Sequence, residues 1–226
     1  MKNRKLSQIC TALTFLIGSC GFAQTLPAAM AERPEIIVSV YDYAQMPSQA
    51  LAAAEKHAQS IFRKAGVKTA WRNCLRKSPD VEVKNCHSVD ATHLVMKILP
   101  RATATQVRDR DDVLGDAFVD AAGVGFYAYA FYDHIESITA EHKLGPVLLG
   151  CVLAHEIGHL LLGSRSHAIS GIMSAHWTGE QLRRISEAGM VFLPSQSRAL
   201  RNRTTSLLGS SDPNLVSMAS EVTNRQ

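Results

Sequence analysis

The strongest constraint on this chain is a stretch between two glycines that is apolar on every side except at three positions. Gly145-Pro146 opens it, with proline suited to the first turn of a helix, and Gly163 closes it. Leu148, Leu149, Val152, Leu153, Ile157, Leu160 and Leu161 are among the residues that cover its circumference, so the predicted helix is buried all round. Within it only His155, Glu156 and His159 are polar side chains. Leaving such groups unpaired in an apolar core costs about 1 to 3 kcal/mol each, so they need partners.

The spacing names the partner. His155 and His159 stand four residues apart, hence on one face and one turn from each other, and both imidazoles can reach one tetrahedral zinc ion at about 2.0 to 2.1 Å. Glu156 is beside the first histidine but rotated away from the shared direction. It can take a proton from a water whose pKa zinc lowers to about 7. A pair of satisfied core histidines with a chance glutamate is the bland alternative, and the placement of the motif inside a buried helix weighs against it.

A catalytic zinc site wants a third protein ligand and an open position. His167 is the first candidate, since Ser164-Arg165-Ser166 is enough chain for a turn back after Gly163. Glu180, on a later helix, is the rival; it falls in a first helical turn, where a carboxylate is favoured anyway, and the residue four on is Arg184. His176 is a weaker candidate. Ser170-Gly171-Ile172 reads as a tight turn that would bring Met173 beneath the histidines as an apolar floor. Asp116 and Asp120 are candidates for orienting a ligand histidine.

With these residues the chain resembles the metzincin clan of zinc metallopeptidases, whose long HExxHxxGxxH motif supplies three histidine ligands and a general-base glutamate above a methionine-containing turn. His155, Glu156, His159, Gly163, His167 and Met173 match those roles in order, with the glycine one residue later and the last histidine two residues later than in the usual motif. No tyrosine follows the methionine turn. The chain is also similar to a group of bacterial secreted proteins that share the phrase AHEIGHLLLG…SH…GIM, over most of residues 35–208. The resemblance implies an α+β, zincin-like fold with a mixed sheet, and substrate bound by strand addition above the metal.

The coarse pattern agrees. Residues 35–43 read as a strand, an Ala-rich amphipathic helix runs from Pro47 to Gly66, and 67–71 and 92–99 read as further strands. Residues 123–132 form an aromatic strand that places Phe126, Ala128, Ala130 and Tyr132 on one face and Tyr127, Tyr129 and Phe131 on the other. This strand is either the edge along which a bound peptide would pair or a strand packed within the core and sheet. Residues 101–112 are polar, compatible with a short helix and a loop, and Thr178 with Gln181 makes a capping box ahead of one of two short C-terminal helices.

At the start, Lys2, Arg4 and Lys5 precede an apolar run over 9–17 and then small residues, the layout of a signal peptide. Cleavage after Ala23 is favoured; Ile17-Gly18-Ser19-Cys20 is the competing route, which would leave Cys20 as a lipid anchor. The expected organisation is a signal peptide at 1–23, a linker at 24–34, a metallopeptidase-like domain at 35–209 and a polar tail at 210–226. Export permits a disulfide, and Cys74 and Cys86 flank a polar loop that such a bond would clasp by about 2 to 3 kcal/mol. Two unpaired thiols are the alternative. Cys151 reads as a buried packing residue.

A scattered net charge of +4 makes no basic stripe and excludes nucleic acid as a partner, and no segment after the leader reads as a membrane span. The expected function is an exported peptidase of the cell envelope or beyond, using Zn2+ held by His155, His159 and His167, with Glu156 as general base and a peptide or protein as substrate. A zinc-binding envelope module without turnover, and a hydrolase of another amide such as cell-wall peptide, are the alternatives.

Overall fold

A computed structural model describes residues 33–74, 86, 92–100, 113–120, 123, 125–139, 144–185 and 189–209. The expected signal peptide with its Cys20, nearly all of the linker, the 75–85 loop, the polar 101–112 segment and the 210–226 tail lie outside the described residues.

Strand β1 (Glu35–Asp42) leads into helix α1 (Ser48–Ala65), followed by β2 (Lys68–Asn73) and β3 (His93–Leu99). Then come β4 (Gly115–Val119), β5 (Gly125–Phe131), α2 (Tyr132–Thr139), α3 (Gly145–Leu162), α4 (Gly179–Arg184) and α5 (Pro194–Gly209). The five strands form one mixed sheet in the order β2-β1-β3-β5-β4. β1 runs parallel to β2 and β3, and β3 parallel to β5, while β4 is antiparallel to β5. This is the mixed α+β architecture expected from the sequence.

Alternation sets the two faces of the sheet. Ile36, Val38, Val40, Leu94, Met96, Ile98, Ala128 and Ala130 point into the main core, where α1 and α3 cover them. α1 contributes Leu51, Ala54, Ala58, Ile61, Phe62 and Ala65, spaced three and four apart on one stripe, as an amphipathic helix requires. On the other face of the sheet, Phe118 stacks on Tyr127 with ring centroids 4.5 Å apart and meets Tyr129 edge-on at 5.0 Å.

Helix α3 is long and apolar enough to cross a membrane, with a mean hydropathy of 1.5 over 18 residues. Here it is the core helix, between α1 on one side and β4 and β5 on the other. Gly163 ends it with φ +88°, a backbone conformation that glycine adopts without strain. Cys74 and Cys86 are joined in a disulfide, and Cys151 is a free buried thiol whose pKa burial pushes up to about 12.

Of the two readings of the aromatic strand, the structure takes packing within the sheet: β5 lies between β3 and β4, and among the described strands β4 is the border on that side. Tyr132 also leaves the strand to begin α2, a helix held by buried Ile135 and by His134, whose Nδ1 donates to the Val113 carbonyl at 2.9 Å.

Candidate metal centre

The last two turns of α3 carry His155, Glu156 and His159 into the interior, at 9%, 6% and 8% exposure. After Gly163 the chain turns back and brings exposed His167 over them. The three imidazoles present Nε2 atoms to one point. His159 Nε2 lies 3.1 Å from His155 Nε2 and 3.1 Å from His167 Nε2. Ligand atoms at about 2.0 to 2.1 Å from a tetrahedral ion stand about 3.3 to 3.4 Å apart, so the spacing suits one small cation.

Hydrogen bonding on the far side of each buried ring decides what those nitrogens can do. His155 Nδ1 is 2.7 Å from the Ile172 carbonyl, which only accepts, so Nδ1 carries the proton. Ser166 Oγ donates to the Gly163 carbonyl at 2.7 Å and lies 2.9 Å from His159 Nδ1. With its one hydrogen committed to Gly163, the hydroxyl accepts from His159 Nδ1. Both Nε2 atoms are therefore bare lone pairs facing each other at 3.1 Å. Two lone pairs at that distance repel unless a cation lies between them, and a metal ion fits these residues on that ground.

A methionine turn supports the site from below. Ala168 N donates to the Met173 carbonyl at 2.8 Å and Ser174 N to the Gly171 carbonyl at 3.2 Å, which folds 168–174 into a compact loop. Met173 is fully buried under α3. A Cβ at Gly158 would lie 2.6 Å from Met173 Sδ, so the glycine inside the HExxH motif lets the sulfur reach the helix backbone. Trp177 sits edge-on to His155, with ring centroids 5.6 Å apart.

Glu156 lies outside the histidine cluster, against the border strand. A Cβ at Gly115 would be 2.7 Å from both Glu156 Cγ and Oε1 and 2.8 Å from the Tyr129 carbonyl oxygen. Only a residue without a side chain lets β4 run beside this carboxylate. Neither Glu180 nor His176 joins the cluster; both are exposed, Glu180 in the first turn of α4 behind the capping box of Thr178 and Gln181. The Nδ1 atoms of His155 and His159 are partnered by the Ile172 carbonyl and by Ser166 rather than by Asp116 or Asp120, and the charge of Asp116 acts to raise the His159 pKa against the lowering by burial. Sequence reasoning passed over Ser166 and Gly115, whose roles depend on the turn after α3 and on a strand pairing that no local pattern announces.

Burial lowers the pKa of His155 to about 4 from its ordinary 6.5, with the neighbouring His159 and His167 adding to the effect against the opposing Ile172 hydrogen bond. Between those values the unfolded chain takes up a proton that the folded, metal-free protein refuses. This part of the stability is thus complete above pH 6.5 and is lost as pH falls toward 4, a change of about 3 kcal/mol. Urea unfolding of metal-free protein from pH 7 to 4.5 will show this decline, and His155→Asn will flatten it. An equal slope in both proteins would remove His155 as the cause.

No family model matches the chain, and no curated protein matches it in sequence. Among solved structures, the crystal structure of archaemetzincin from Methanopyrus kandleri superposes with a TM-score of 0.44 and 14% identity, covering 79% of this chain and 99% of that one. A likeness at this level assigns no family.

Proposed function

We propose that the protein is an exported zinc-dependent peptidase that hydrolyses peptide bonds in peptides or proteins of the cell envelope or the medium. One observation carries this reading: three imidazoles converge on a cation-sized point, with a buried carboxylate on the neighbouring helix position beside a sheet border. A set of three neutral imidazoles suits zinc, with His155, His159 and His167 as its ligands. When bound, zinc would polarise the scissile carbonyl and make water a nucleophile near neutral pH.

The remaining work falls to the chain. Glu156 accepts a proton from the attacking water; as the carbon–nitrogen bond breaks it returns a proton to the leaving amine. Its burial keeps competing water away from that transfer. The substrate lies extended along β4, the border strand among the described residues and the one next to Glu156, and pairs with its backbone. Export is supported by the basic and apolar leader and by the Cys74–Cys86 disulfide, which an oxidising compartment would preserve.

The test is metal analysis together with hydrolysis of an unstructured protein such as casein. One zinc per chain is expected, with activity abolished by a chelator and restored by zinc. Stoichiometric zinc with no hydrolysis of protein or cell-wall peptide would make this a binding module of the envelope. A protein that takes up no metal would sink the reading.

A further inference from the structure

Between Gly163 and His167 the chain is one residue longer than in the motif it resembles, and this longer turn contains Ser166. We propose that Ser166 and Gln196 are positioning residues of the metal centre: Ser166 holds His159 in the tautomer that turns Nε2 toward the ion, and Gln196 anchors the peptide that carries His167. This rests on the metal-site reading above.

The argument for Ser166 is the direction of its single hydrogen. An Oγ to carbonyl distance of 2.7 Å at Gly163 holds only if the hydroxyl donates there. Oγ then offers only lone pairs to His159 Nδ1 at 2.9 Å, so the ring proton must be on Nδ1. Without the hydroxyl, the remaining acceptor for Nδ1 is the Gly163 carbonyl at 3.4 Å, near the limit of a hydrogen bond. The tautomer with a proton on Nε2, which cannot bind a metal through that atom, would then gain population.

Gln196 acts one bond further along. Its Nε2 donates to the Ser166 carbonyl at 3.1 Å, and that carbonyl belongs to the peptide linking Ser166 to His167. Its Oε1 accepts from the N–H of Leu193, the residue just before α5, at 3.0 Å. One amide therefore ties the turn that bears the exposed third histidine to the start of a helix. α5 is itself fixed to the scaffold through Arg201, whose Nη1 donates to the Ala65 carbonyl at 2.8 Å. The C-terminal helix thus becomes part of the support of the metal centre.

Competition for zinc against a chromophoric chelator, and the histidine ¹⁵N shifts of the metal-free protein, test the proposal. Ser166→Ala should bind zinc about 10 to 100-fold more weakly, the range typical for partners of metal-bound histidines, whereas Ser166→Thr should stay within about threefold of wild type. In the metal-free wild type His159 carries its proton on Nδ1; in Ser166→Ala its two ring nitrogens should move toward the average of both tautomers. Gln196→Glu retains the acceptor for Leu193 N but turns a carboxylate oxygen on the Ser166 carbonyl, and should cost about tenfold in zinc affinity. It carries the test alone if Ser166→Ala does not fold. Wild-type zinc affinity in both variants, with His159 unchanged, would overturn the proposal and leave the metal site standing. A wild type that binds no zinc would instead overturn the metal-site reading, while the tautomer measurement still judges Ser166.

Discussion

Replacing Glu156→Gln should lower peptide turnover by about 10² to 10⁴-fold, the usual worth of a positioned acid–base group, and leave zinc affinity within about threefold of wild type. The two halves of this expectation come from separate observations. Glu156 is no member of the histidine cluster, so the metal should not notice its loss. Glutamine has nearly the same shape, so the packing beside Gly115 survives, but an amide cannot accept the proton of the attacking water at neutral pH. The measurement is kcat on a quenched fluorescent peptide beside zinc content on the same preparation. Turnover near the wild-type value would remove Glu156 as the base, and zinc lost along with turnover would mean that the carboxylate supports the metal instead.

That the candidate site is legible in the sequence follows from the physics of α3. A helix apolar all round permits few polar residues, and those it keeps stand out because each is costly without a partner. Gly145-Pro146 and Gly163 bound it by rules of helix ends that act within one turn, and the Thr178–Gln181 capping box is equally local. β3 and β5 alternate along their central residues, and β1 is legible from its run of β-branched and aromatic residues. The disulfide was legible from an expected compartment and a polar loop.

What escaped was set by distant parts of the chain. β4 is five residues long, opens with Gly115-Asp116, and has no fully buried position, so its local signal is weak; pairing with β5 makes it a strand. Strand order is absent from any periodicity, and for that reason the aromatic strand reads from sequence as either edge or interior, and only the pairing puts it one position inside. α2 contains Tyr132, Ile135, Ile138 and Thr139, residues of middling helix propensity, and it forms because Ile135 enters the core. The choice between His167 and Glu180 was open for the same reason. Both spacings were workable, and only the path of the turn after Gly163 brings the histidine within ligand distance of its neighbours.

The strand that sequence reasoning overlooked leads to the other large effect expected. Gly115→Val should reduce kcat by about 10 to 100-fold with zinc retained, because the side chain would occupy the space of the Glu156 carboxylate, and misplacing a reacting group by about 1 Å can cost 10²-fold. The Tyr129 carbonyl, 2.8 Å from the same added Cβ, blocks retreat in the other direction, so β4 must also shift on β5, at a stability cost of about 1 to 3 kcal/mol. A stability loss alone does not distinguish displacement of Glu156 from damage to the sheet, and Phe118→Ala separates the two. Phe118 is on the same strand, stacks on Tyr127 on the opposite face, and has no place beside Glu156 in the geometry described. Its loss should lower the melting temperature comparably and leave kcat within about threefold, any effect on substrate pairing along β4 appearing in KM instead. If both variants lose turnover in proportion to stability, β4 acts only as part of the sheet. If Gly115→Val alone loses it, the bare edge of that glycine is what allows an extended substrate and the general base to occupy the same few ångströms, and any residue with a side chain there trades one for the other.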